Sequence, residues 1–143
     1  IINVVGAAII KDGEVLCARR GEGKSLAGYW EFPGGKQEEG ESPEACLIRE
    51  CEEELGVKVR ITGLYANKKY QYPENEYFFS FYTAEITSGN IMMLAHNDLA
   101  WVPIDELEKY AFCPAVKPRL LMDHPLRTWI WRNRRFFRLW LWL

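Results

Sequence analysis

The stretch "GGKQEEGESPEACLIRECEEELGV", residues 34–57, decides how this chain is read. Eight of its residues are Glu, in a chain whose net charge is only -2. The second half has the marks of a helix. Ser42 is a suitable N-cap, Pro43 suits the first helical position, and Glu44 lies in the first turn. Gly56 is the expected stop after Leu55. At 100° per residue, Ala45, Ile48, Cys51 and Leu55 form the expected core stripe, and Glu50, Glu53 and Glu54 converge on the opposite side. Two unscreened carboxylates about 6 Å apart repel by roughly 3 kcal/mol at an effective dielectric of 20. A solvated face relieves that repulsion by screening. A divalent cation reverses it, and oxygen-only ligands suit Mg²⁺, with Mn²⁺ as the alternative.

The helix pattern alone leaves both readings open, and the residues before it bear on the choice. Gly34-Gly35 permits close backbone approach to a ligand. A carbonyl there can add to a metal shell, and Lys36 stands where it could meet a phosphate. Two glycines, a lysine and three carboxylates in one loop–helix unit point to metal-assisted chemistry on a phosphate ester or anhydride.

Outward from this unit the chain reads mostly as strands. "NVVGAAII" (3–10) and "EVLCARR" (14–20) form a hairpin about "KDG". "GEGKSLAG" (21–28) is a glycine-rich loop, and "YWEFPGGK" (29–36) is a short aromatic strand stopped by Pro33 and the glycines. "VKVRITGLYANKKY" (57–70), "EYFFSFYTAEI" (76–86) and "DLAWVP" (98–103) are further strands, and "IDELEKY" (104–110) is a short helix. Strands flanking one strong helix predict an α/β or α+β class with a mixed sheet. The 143 residues suit one domain. No apolar run reaches the roughly 20 residues of a membrane span. Cys17, Cys46, Cys51 and Cys113 lack metal-type spacing and read as reduced, apolar filler in a cytoplasmic protein.

Residues 126–143, "LRTWIWRNRRFFRLWLWL", break this composition with five Arg, no acid and four of the six Trp. One helical face carries Leu126, Trp129, Ile130, Phe137, Trp140 and Leu141. Docking or self-association, a non-native end, and contact with an anionic membrane are the three readings, membrane contact the least favoured. The expected division is therefore residues 1–125 as the domain and 126–143 as an extension.

Gly35, Glu41 and the run Arg49-Glu50-Cys51-Glu52-Glu53-Glu54-Leu55-Gly56-Val57 resemble the Nudix box, G-x5-E-x7-R-E-U-x-E-E-x-G-U. Cys51, where Ile, Leu or Val is usual, is the one mild departure. "WEFPGGKQEEGES" (30–42) is similar to the MutT branch, and the likeness runs over about residues 3–120. The resemblance implies an α/β/α sandwich with a mixed sheet. It implies Mg²⁺-dependent hydrolysis of a nucleoside triphosphate to the monophosphate and pyrophosphate, in a nucleotide-pool sanitising role. It makes Glu50, Glu53, Glu54 and the Gly34 carbonyl metal ligands, Arg49 the residue that orients the carboxylates, and Glu41 a brace for the loop. Arg20, Phe32 and Tyr72 match positions near the nucleotide, with Phe32 offering backbone atoms to the base.

In the stretch "AHNDLAW" (95–101), Ala95 stands where many relatives carry a Glu that binds metal or acts as base. Glu53 is the next candidate for the base, with His96 and Asp98 as alternatives. Ala95 also opens the alternative of a nucleotide-sensing module with weak turnover. Val116 falls where 8-oxoguanine-selective members carry Asn. Its side chain offers no donor or acceptor, which lowers 8-oxo-dGTP and raises a pyrimidine triphosphate or a broad range. The expected partner is a nucleoside triphosphate and not a nucleic acid, bound to a monomer or homodimer.

Overall fold

A computed structural model describes residues 1–116 and 118–122. The extension 126–143, and every reading placed on it, lies outside the described residues.

The elements run β1 (Ile2–Lys11), β2 (Glu14–Arg19), β3 (Trp30–Glu31), β4 (Gly34–Lys36), α1 (Pro43–Leu55), β5 (Lys58–Gln71), β6 (Glu76–Ser88), β7 (Asp98–Pro103), a 3₁₀ helix (Ile104–Lys109) and α2 (Pro118–Met122). β1 is the hub. Its first half pairs antiparallel with β4 and its end pairs antiparallel with β2, while β6 runs parallel beside it from Ile2↔Tyr77 to Ile9↔Ala84. β5 flanks β6, and β2 carries β3 and β7. The sheet is mixed, as the sequence predicts.

The period-2 alternation of a strand sends successive side chains to opposite faces. Val5, Ala7 and Ile9 of β1 and Leu16 of β2 face α1, where they meet Cys46, Leu47, Cys51 and Leu55. Ala8 of β1 and Val15 and Cys17 of β2 face the other way, toward Leu107 of the 3₁₀ helix and Leu121 of α2. A helix therefore covers one face of the sheet, and the 3₁₀ helix with α2 covers the other. This is the expected sandwich. All four cysteines are buried and free, consistent with apolar filler.

The short helix expected at 104–110 is a 3₁₀ helix, Ile104–Lys109. One local expectation is corrected. The buried stripe of α1 is Cys46, Leu47, Cys51 and Leu55; Ala45 and Ile48 are exposed. The reason lies in the turn of α1 about its axis. Gly35 of β4 leaves room for the Glu50 carboxylate and the Gly34 amide holds Glu54, so the helix turns both toward β4 and leaves Ile48 in solvent.

Candidate active site

The ends of α1 form as its sequence dictates. Ser42 Oγ accepts the Ala45 amide at 3.1 Å, and Gly56 takes the left-handed conformation, φ 67°. The helix is thereby fixed beside β4. A Cβ on Gly34 would stand 1.9 Å from the Val5 carbonyl oxygen, and one on Gly35 would stand 2.5 Å from the Glu50 carboxylate. Only glycines allow β4 to lie between β1 and the acidic face of α1.

Arg49 organises the outer part of this face. Its Nε and Nη2 donate to Glu41 Oε2 and Oε1 at 2.7 and 2.9 Å, a bidentate pair. Its Nη1 donates to Glu50 Oε1 at 3.1 Å and to Glu53 Oε2 at 3.2 Å. Glu41 also accepts the Glu38 amide at 3.1 Å, so it ties the loop before α1 to the helix. The Arg49 hydrogen bond, ahead of the opposing effect of burial, holds the Glu41 carboxyl at about 2. The same pairing raises Arg49 above its ordinary value.

Glu54 is placed differently. Its Oε2 accepts the Gly34 amide at 3.0 Å, the one hydrogen bond its side chain makes among the described residues. Burial pushes its carboxyl up to about 8, and the charges of Glu50 and Glu31 add to this. Burial also raises Glu50, against the lowering effect of Arg49. The expected convergence of three carboxylates is therefore partial. Glu50 and Glu53 share one guanidinium nitrogen, Glu54 turns to β4, and Glu53 is 59% exposed. Among the described residues no three His, Cys, Asp or Glu side chains stand as a ready-made metal cluster. The donor set nonetheless fits a hard divalent cation. Glu50 and Glu54 are half-buried carboxylates raised by burial, and oxygen is their only ligating atom.

Beside this end opens a cavity of about 620 Å³. Gly34, Gly35, Lys36 and Glu54 line it on the α1 side, and Arg20, Lys24 and Glu31 lie on its polar wall. Phe32, Tyr72, Tyr77, Phe79 and Phe81 supply aromatic lining, with Val116 among them. Of the residues singled out from sequence, Arg20, Phe32, Gly34, Lys36, Glu54 and Tyr72 thus meet at one cavity. Glu50, Glu53 and Arg49 stand beside it on α1. The Phe32 side chain is 4% exposed and packs against Phe112, with ring centroids 5.5 Å apart.

Glu31 is a residue the sequence reading missed. Its Oε1 pairs with Arg20 Nη1 at 2.9 Å, and its Oε2 accepts from His96 Nε2 at 2.9 Å. Burial alone would raise the Glu31 carboxyl, but the hydrogen bonds and charges of His96 and Arg20 bring it below the ordinary value. The His96 side chain is 3% exposed, and its Nδ1 has no partner in the described structure. The ring is committed to Glu31 and buried, so it is poorly placed to serve as the alternative base. Asp98 caps its own strand, accepting the Leu99 amide at 2.9 Å. The available signal for Glu31 was an acid alternating with Trp30 and Phe32 in a strand, where a polar side chain must face a cavity or a partner.

A sheet hub bearing β4, a glycine-flanked acidic helix and an adjoining cavity define a class of protein. The NUDIX domain model matches residues 2–121, and the chain belongs to that family, as a hydrolase of phosphoric anhydrides. Among individual relatives, it is 32% identical over 128 residues to the CTP pyrophosphohydrolase of Escherichia coli K12, covering 90% of this chain and 95% of that one. It is 35% identical over 113 residues to the 8-oxo-dGTP diphosphatase of Haemophilus influenzae, covering 78% of this chain and 83% of the relative. Among solved structures, the solution structure of the E. coli ORF135 protein superposes with a TM-score of 0.76 at 32% identity, covering 89% of this chain and 91% of that chain. The MutT NUDIX hydrolase of Burkholderia pseudomallei gives 0.76 at 28% identity, over 86% of this chain and 98% of the other.

Proposed function

We propose that this chain is a Mg²⁺-dependent nucleoside triphosphate pyrophosphohydrolase, converting a triphosphate and water to the monophosphate and pyrophosphate. One observation carries the reading: a single cavity of about 620 Å³ is lined by the Glu54 carboxylate, by glycine backbone and by several aromatic rings. Such a space suits a ligand with an anionic chain and a flat ring.

Glu50 and Glu54 would hold the metal, with the Gly34 carbonyl and Glu53 as further ligands. Bound there, the metal neutralises polyphosphate charge, polarises phosphorus–oxygen bonds and acidifies water. Arg49 keeps Glu50 and Glu53 in register by charge-assisted hydrogen bonds. Glu53, the most exposed of the three, takes the proton of the attacking water. Lys36 meets a phosphate oxygen, and Arg20 is held by Glu31 at the cavity wall. The base lies toward Phe32, Tyr72 and Val116. Val116 offers that base no hydrogen bond from its side chain, which favours a pyrimidine triphosphate or a broad range over 8-oxo-dGTP.

A panel of CTP, dCTP, 5-methyl-dCTP, dGTP and 8-oxo-dGTP compared by kcat/KM tests the choice of substrate. A preference for 8-oxo-dGTP of about a hundredfold over CTP would overturn the Val116 argument. Binding of the same nucleotides without turnover, in the presence of Mg²⁺, would make the chain a sensor.

A further inference from the structure

We propose that Lys24, at the tip of the loop between β2 and β3, binds the polyphosphate chain of the ligand at the α1 end of the cavity. The proposal rests on the nucleotide reading above. Among the described residues three cations line the cavity: Arg20, Lys24 and Lys36. Arg20 is already taken, since Glu31 accepts from its Nη1 at 2.9 Å and the Ser25 carbonyl from its Nε at 2.7 Å. Lys24 makes no ion pair among the described residues. Its Nζ donates one hydrogen bond, to the Ala95 carbonyl at 3.2 Å. An ammonium has three protons, so this neutral acceptor leaves both its charge and two donors unanswered.

The backbone on both sides of this contact is held by hydrogen bonds. The loop carrying Lys24 is closed by main-chain bonds from Gly28 to Arg20 and from Arg20 to Tyr29, each 2.9 Å. The segment that receives it is pinned to α1 by the Leu94 amide, which donates to the Glu54 carbonyl at 3.1 Å. It is pinned to β2 as well, where the Asn97 amide donates to the Arg19 carbonyl at 3.1 Å. Lys24 is thus tethered one residue from the backbone contact of Glu54. A carboxylate at position 95 would compete for this ammonium; the methyl group of Ala95 does not. The cation stays available to an anionic ligand shared with the metal.

The test compares Lys24→Gln, Lys24→Arg and, as a control on an exposed lysine outside the cavity, Lys11→Gln. Two readouts are taken: KM and kcat for CTP with saturating Mg²⁺, and the Kd of a non-hydrolysable α,β-methylene CTP across a salt series. Lys24→Gln is expected to raise both KM and Kd about tenfold with kcat changed less than about threefold, a loss typical of one charge-assisted contact. It should also flatten the salt dependence of Kd, which a purely structural role would not do. Lys24→Arg should restore most of the loss, and Lys11→Gln should match the parent. A Kd for Lys24→Gln within twofold of the parent, at low salt and high, overturns the proposal while leaving the hydrolase reading intact. If the parent binds the analogue but hydrolyses nothing, the hydrolase reading fails and the Kd values alone decide the role of Lys24.

Discussion

Four carboxylates, from Glu38, Glu41, Glu50 and Glu53, stand within 4 Å of the Arg49 guanidinium. A lysine can carry the charge but not the fork that grips both oxygens of Glu41 while a third nitrogen reaches Glu50 and Glu53. Arg49→Lys should therefore lower kcat about tenfold to a hundredfold with the fold retained, as steady-state kinetics and circular dichroism would report. An unchanged kcat would mean the guanidinium only braces the loop. The Glu41 carboxyl is held at about 2 by Arg49 and has an ordinary value of 4.5. A lowered folded-state value stabilises the fold above the unfolded value and is lost as pH falls from about 4.5 through about 2. Glu41→Gln should remove that part of the acid-induced loss of Tm, while the parent retains it. Gly35 has the sharpest steric constraint on the carboxylates. Gly35→Ala brings a methyl group to 2.5 Å from the Glu50 carboxylate, so it should weaken Mg²⁺ activation at least about tenfold. An alanine variant activated at the parental Mg²⁺ concentration would remove Glu50 from the proposed ligand set.

At the scale of the element, α1 was the most legible part of the chain. Its cap, its proline and its glycine stop were all written locally, and Ser42→Ala should cost about 1 kcal/mol in a denaturant titration. Gly56→Ala should cost at least as much, because the residue needs φ 67° and an added Cβ would meet the Met92 Cε at 2.5 Å. The rotation of α1 was not legible. A wheel finds an apolar arc but cannot see β4, whose Gly35 admits Glu50 while Ile48 turns outward. Short elements fared similarly. The aromatic run 29–36 divides at Phe32-Pro33 into β3, which joins β2, and β4, which joins β1. That division depends on partners distant in sequence, as strand pairing does.

At the scale of the whole molecule, the mixed sheet and the grouping of Arg20, Phe32, Lys36 and Tyr72 around one cavity followed from motifs spread along the chain. The Glu31 bridge did not, because it joins β3 to His96, 65 positions away, and no local pattern records such a contact. The cavity also sets the pH response. Burial, then the charges of Glu50 and Glu31, raise the Glu54 carboxyl to about 8, against the Gly34 amide and Lys24. Below that value a metal must displace a proton, so the Mg²⁺ concentration for half-maximal activity should rise as pH falls from 8 to 6. Glu54→Gln should abolish this trend together with most of the activity. The most direct test of the central claim is product analysis with CTP and Mg²⁺. The account predicts CMP and pyrophosphate in equal amounts, none in EDTA, and at least a hundredfold less with Glu54→Gln. Release of inorganic phosphate instead of pyrophosphate, or turnover that persists in EDTA, would contradict it.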